Sequence, residues 1–201
     1  MSLALPPPSQ LAADAKTAQL VHEELTSVIV GNPRATTTYQ FYEELDGWLG
    51  PWGPRGYPIG YGKFYNRAFT THRALNRDPL TRRWVSKTAV LLQRELRDYV
   101  VGRVRDGTVG SLTERELRRA AFQSHAKAYD RAGLARVALV APQLVPVIAT
   151  IPAAEFLPTS RNFLPSVCQV FQTFERVAPQ VIGMGSRQPG GDAHLALHRE
   201  G

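Results

Sequence analysis

Three histidines and one glutamate are the residues of this chain best suited to chemistry. Read at about 100° per residue around a helix, Leu11, Ala15, Ala18, Leu25 and Ile29 form one apolar stripe, and His22 falls inside it. Phe64, Ala68 and Leu75 define a second stripe, which takes in His72 together with Thr71. Leu117, Ala121, Ala128 and Tyr129 surround His125, with Arg118 and Ser124 on the same face. Glu95 borders a fourth stripe between Leu91 and Tyr99. A neutral imidazole in such surroundings is suited to act as a general base, a proton shuttle or a metal ligand.

Burying an imidazole without a partner costs about 1–3 kcal/mol, so each of the three needs a hydrogen bond, a ligand or a metal. Two or three histidines with a carboxylate suit zinc or non-haem iron, and histidine also ligates haem. A metal or haem is thus a candidate cofactor, with no spacing that selects one. In a shared interhelical pocket, His125, His72 and Glu95 are the candidate catalytic residues, while His22 and Arg118 would hold the ligand. The competing reading is three core histidines, each satisfied locally, because helix phase does not say whether three faces meet.

The segment 47–62 is the second candidate. Six glycines and three prolines alternate with Trp48, Trp52, Tyr57 and Tyr61. So few polar groups do not make a solvated linker, and the expectation is a long ordered loop packed on the body. Its aromatics would either line a ligand site or plug the end of a bundle. Arg83, Lys87, Arg94 and Arg97 fall on one side of the fourth helix, near Arg73, Arg77 and Arg82. Such a stripe could contact phosphates, although any solvated helix shows one. Cys168, the only cysteine, borders an apolar face and reads as a small hydrophobe; it excludes an internal disulfide. Ser124 and His125 are adjacent, so on a helix they cannot form a couple. No nucleophile elbow, phosphate-binding loop, dinucleotide fingerprint or zinc-protease motif occurs.

The elements that must position these residues are helices. Periodicity predicts them over residues 9–30, 38–46, 63–76, 79–105, 113–132 and 166–178. Asp78-Pro79 opens the fourth as N-cap and first helical residue, and Thr113 with Glu116 forms a capping box on the fifth. Residues 134–156 are strongly apolar, but Pro142, Pro146 and Pro152 break any straight helix, so kinked buried helices are expected there rather than a membrane span. Short strands at 137–140 or 145–151 stay open as alternatives. Residues 1–8 read as an extended lead-in, 9–182 as one domain, and 183–201 as a disordered tail. The expected fold is therefore an all-α, single-domain bundle of about six to eight helices.

At 201 residues, 43% of them hydrophobic, the chain can bury a real core. Its start lacks the basic and apolar regions of a signal peptide, which makes the cytoplasm the expected location. The net charge of +7 favours anionic partners at long range. Two functions follow. The first is a protein that binds a small molecule between helices, with an enzyme acting through the inward histidines as one form of it. The second is an interaction or effector-type module that binds an acidic protein, nucleic acid or membrane surface through the basic face and aromatic loop. Membrane binding is the less expected of these, and oligomeric state is not readable.

Overall fold

The computed structural model describes residues 3–141 and is all-α, with no strand among the described residues. Helices α1 (Ala15–Ser27) and α2 (Gln40–Leu49) lead to a π-helical turn, Tyr57–Lys63. This runs directly into α3 (Phe64–Thr71), followed by α4 (Arg73–Arg77), α5 (Pro79–Arg105), α6 (Glu114–Ala132) and α7 (Leu134–Val140). The axis of the bundle is α5, about 40 Å long at 1.5 Å per residue. It packs along α6 and α1.

The termini of the two longest helices follow from their capping residues. Asp78 accepts the Thr81 N–H at 2.9 Å ahead of Pro79, whose missing N–H is no loss at that position. Arg103 and Arg105 lie in the last turn, where the helix dipole favours cations. Thr113 and Glu116 cap α6 reciprocally. Gly133, at φ 98°, ends α6 in the left-handed conformation that a side chain disfavours.

Three expected elements differ. The first helix starts at Ala15, not residue 9, because the Asp14 carboxylate takes the Thr17 N–H at 2.7 Å. Leu11 before it is extended, and Pro8–Gln10 forms only a 3-10 turn. The lead-in is not detached: Leu3 and Leu5 pack on the core, Leu3 N donates to Glu44, and Trp48 Nε1 donates to the Pro6 carbonyl at 2.8 Å. The expected helix over 63–76 breaks at His72, whose ψ is 117°. There the Asn76 amide donates to the carbonyls of Phe69 and His72, both at 2.9 Å, and closes off α3. The expected loop over 47–62 is helical at its end, as the π turn. Residues 142–201 lie outside the described residues, and with them fall Cys168, the sixth expected helix, the tail and most of the apolar stretch. Its opening part, 137–140, is helical within α7.

Two apolar clusters form the core. One joins α1, α2, the C-terminal half of α5 and the start of α6, around Leu25, Phe41, Leu45, Val100 and Leu117. The other joins α4, the start of α5, the end of α6 and α7, around Leu75, Trp84, Tyr129 and Val137. Gln93, fully buried on α5, braces the first: its Oε1 accepts Val30 N at 2.9 Å and its Nε2 donates to the Thr38 carbonyl at 2.8 Å. No helix among the described residues is long and apolar enough to cross a membrane.

Candidate aromatic pocket

Where the two clusters meet, the packing is incomplete. A pocket opens there between the π turn, α3, α5 and α6, with Tyr42 of α2 in its wall. The space inside it is about 40 Å³. That is enough to admit water, since a cavity needs about 10–15 Å³ to hold one molecule. No Lys, Arg, Asp or Glu side chain lines it.

The π turn builds one wall. Tyr57, Tyr61 and Tyr65 are spaced by four, and the wide turn running into α3 brings them onto one face. Tyr61 is the hub: it stacks on Tyr57 at 5.3 Å, meets Tyr65 at 4.4 Å and points edge-to-face at Phe122 and His125. The turn is held in place by two close backbone approaches. A Cβ on Gly62 would stand 2.4 Å from the Tyr42 ring, and one on Gly60 would stand 2.2 Å from the Pro54 carbonyl oxygen. From α6, Glu114 accepts the Tyr57 N–H at 2.9 Å. The opposite wall is Trp84, Val85, Thr88, Ala89 and Leu92 of α5, with Trp84 edge-on to Phe69 and Tyr129.

His125 lines the pocket and is 8% exposed. Its Nδ1 lies 2.6 Å from the Ala121 carbonyl oxygen, which can only accept. Nδ1 therefore carries the proton, and Nε2 is the acceptor of the ring. Burial disfavours the charged ring and lowers its pKa to about 4, against a smaller opposing effect of the Ala121 bond. Burial likewise raises the phenols of Tyr42, Tyr57 and Tyr129, so all three stay protonated at neutral pH. Three further polar atoms in the lining residues are buried without a hydrogen-bond partner: Trp84 Nε1, Asn66 Oδ1 and Thr88 Oγ1.

No family model, curated protein or solved structure matches the chain.

The sequence-predicted residues are not gathered in one place. His125, Tyr57 and Tyr61 line the pocket; the others do not. His22 is half-buried at the edge of α1, because the buried line runs through Ala18, Val21 and Leu25 and leaves His22 to one side. His72 sits at the break between α3 and α4, where a continuous helical phase no longer applies, and its buried Nδ1 has no hydrogen-bond partner. Glu95 faces α6 as an ion-pair partner, 3.2 Å from Lys127 and 3.0 Å from Arg131. Arg118 is exposed, pairs with Glu114 at 2.7 Å and donates to the Arg55 carbonyl, so it steadies the glycine-rich segment from outside. Trp48 and Trp52 pack on the first cluster. Among the described residues no three His, Cys, Asp or Glu side chains converge to hold a metal ion, so the expected histidine–carboxylate cluster does not form.

The basic stripe also changes. Arg83, Lys87 and Arg94 are exposed, but Arg97 is only 9% exposed and is bound to Asp98 and to Thr26 of α1. Sequence reasoning missed Tyr42, Asn66, Trp84, Thr88 and Tyr129. The Tyr57–Tyr61–Tyr65 spacing was the available signal, masked by reading glycine and proline as loop.

Proposed function

We propose that this protein binds a small, uncharged molecule in the aromatic pocket between the π turn, α3, α5 and α6. The observation that carries this reading is the set of orphaned polar atoms in one wall system. Trp84 Nε1, Asn66 Oδ1 and Thr88 Oγ1 are all buried and unpartnered, and all belong to residues lining the same pocket. Each such atom costs about 1–3 kcal/mol if nothing satisfies it, so three together favour a site whose partner is a bound molecule. Absence of charge in the lining selects against ions, which would be desolvated with no counter-charge.

The reading stops at binding. His125 with its pKa near 4 is a weak base at neutral pH, better suited to accept a hydrogen bond than to carry off a proton. The basic-surface alternative is the lesser one, since Arg97, one of its four cations, is taken up inside the fold.

The test is a fragment titration followed at the Trp84 indole N–H by NMR, assigned with Trp84→Phe. Binding predicts that neutral fragments move this resonance saturably and that charged isosteres do not. A diverse neutral set that leaves both the resonance and the melting temperature unchanged would refute the reading.

A further inference from the structure

We infer that the group recognised in this pocket is uncharged and offers both an acceptor and an N–H or O–H, as an amide does. The inference rests on the pocket reading above and narrows it to a ligand class. Its starting point is which hydrogen-bonding roles the buried lining residues can play. Trp84 Nε1–H is a donor only, and it is buried with no partner. A ligand that satisfies it must bring an acceptor. His125 is restricted in the opposite sense: Nδ1 is committed to the Ala121 carbonyl, so Nε2 can only accept. A ligand that satisfies it must bring an N–H or O–H. Asn66 and Thr88 can each play either role, and both have an unpartnered atom. Ketones and esters meet the first demand alone, amines in their usual cationic form meet only the second, and amides and hydroxyls meet both.

Shape and charge complete the argument. The lining combines rings from α2, the π turn, α3, α5 and α6, a set of flat faces suited to a planar group. The enclosed space, about 40 Å³, is small, so only a small group would enter it fully. The remainder of such a molecule would lie toward the mouth. With His125 neutral at pH 7 and no Lys, Arg, Asp or Glu in the lining, carboxylates and amidinium ions lack a counter-charge.

Benzamide, acetophenone, toluene, benzoate and benzamidinium differ at this head group while sharing a ring. Titrated against the full chain by calorimetry at pH 7, benzamide should bind at least about tenfold more tightly than acetophenone or toluene, the loss expected when a buried partner goes unpaired. Its addition should also move the Trp84 indole N–H downfield, as a new hydrogen bond does, which toluene should not. Trp84→Phe should cost benzamide about tenfold more than it costs toluene. Thr88→Val serves if Trp84→Phe does not fold, with the same pattern expected. Equal binding of benzamide, acetophenone and toluene would overturn this inference and leave the pocket reading intact. Tighter binding of benzoate or benzamidinium would overturn it too. Failure of all five, with an unmoved indole resonance, would overturn the pocket reading itself.

Discussion

Nδ1 of His125 lies 2.6 Å from the carbonyl oxygen of Ala121, one turn back along the same helix. This one contact fixes the tautomer of the ring, and burial fixes its charge. The ring is packed by Tyr61, Phe122 and Tyr129, with no acidic partner to stabilise an imidazolium. Its neutrality is therefore a property of the fold, and acid should expose it.

The first prediction concerns pH. In the unfolded chain His125 titrates near 6.5, and in the folded chain near 4. Between these values the unfolded state binds a proton that the folded state does not, so stability falls as pH falls. The full loss, reached below about pH 4, is about 3 kcal/mol at 1.36 kcal/mol per pKa unit. Asp14 and Glu116, whose pKa values are lowered chiefly by hydrogen bonds at helix N-termini, lose their contributions as pH falls below their ordinary values of 3.8 and 4.5, and so add little between pH 7 and pH 5. Asp46, raised by burial, acts in the opposite sense and gains on protonation. Urea unfolding at pH 7 and pH 5 should show the loss in the natural chain and a much smaller one in His125→Leu. Parallel pH profiles in the two would contradict the assignment.

Arg97 gives the second. Its guanidinium reaches Thr26 of α1 at 2.9 Å and Asp98 at 2.6 Å, tying two helices of the core together. Arg97→Ala removes both the bonds and the packing of the stem, and should lower stability by about 2 kcal/mol. Exposed Arg94→Ala and Lys87→Ala should stay within about 0.5 kcal/mol. Equal effects in urea unfolding of the three variants would show that Arg97 is an ordinary surface residue.

The fold was legible wherever local chemistry decides it. Asp78-Pro79 and Thr113…Glu116 each specify a helix start through their own side chains, and the structure places both there. Legibility failed where the deciding contact leaves no mark in helical periodicity. Nothing near His72 announces that Asn76 will cap the preceding helix, and nothing near Gly60 and Gly62 announces a π turn closed against Pro54 and Tyr42. The site suffered in the same way. Helical phase found His125, because α6 is regular throughout, but misplaced His72, because the phase resets at the break. Glu95 read as a border carboxylate, and its partners Lys127 and Arg131 lie on another helix.

Gly62 supplies the third prediction. Its missing side chain lets the Tyr42 ring lie where a Cβ would be 2.4 Å away, and Tyr42 is itself buried. Gly62→Ala must displace that ring or the π turn, at a cost of about 2–3 kcal/mol typical of overpacking. Gly102→Ala, inside α5 with nothing near its Cβ position, should instead raise stability by about 0.5–1 kcal/mol. Thermal unfolding of the pair checks both signs at once. A neutral Gly62→Ala would mean that Tyr42 is free to move aside.

Glu114 controls the pocket wall from the far side. One carboxylate oxygen accepts the Tyr57 N–H at 2.9 Å and the Arg118 Nε–H at 2.7 Å, while Arg118 also holds the Arg55 carbonyl at 3.1 Å. Removing the carboxylate frees the start of the π turn from α6 without replacing any residue that lines the pocket. Glu114→Ala should cost only about 1 kcal/mol in global stability, since the pair with Arg118 is largely solvated. Its local effect should be larger: the Tyr57 amide should exchange with solvent at least about tenfold faster, while amides in the middle of α5 exchange as before. Hydrogen exchange by NMR separates the two. Uniform acceleration along the chain would mean that Glu114 acts on the whole bundle and not on the turn.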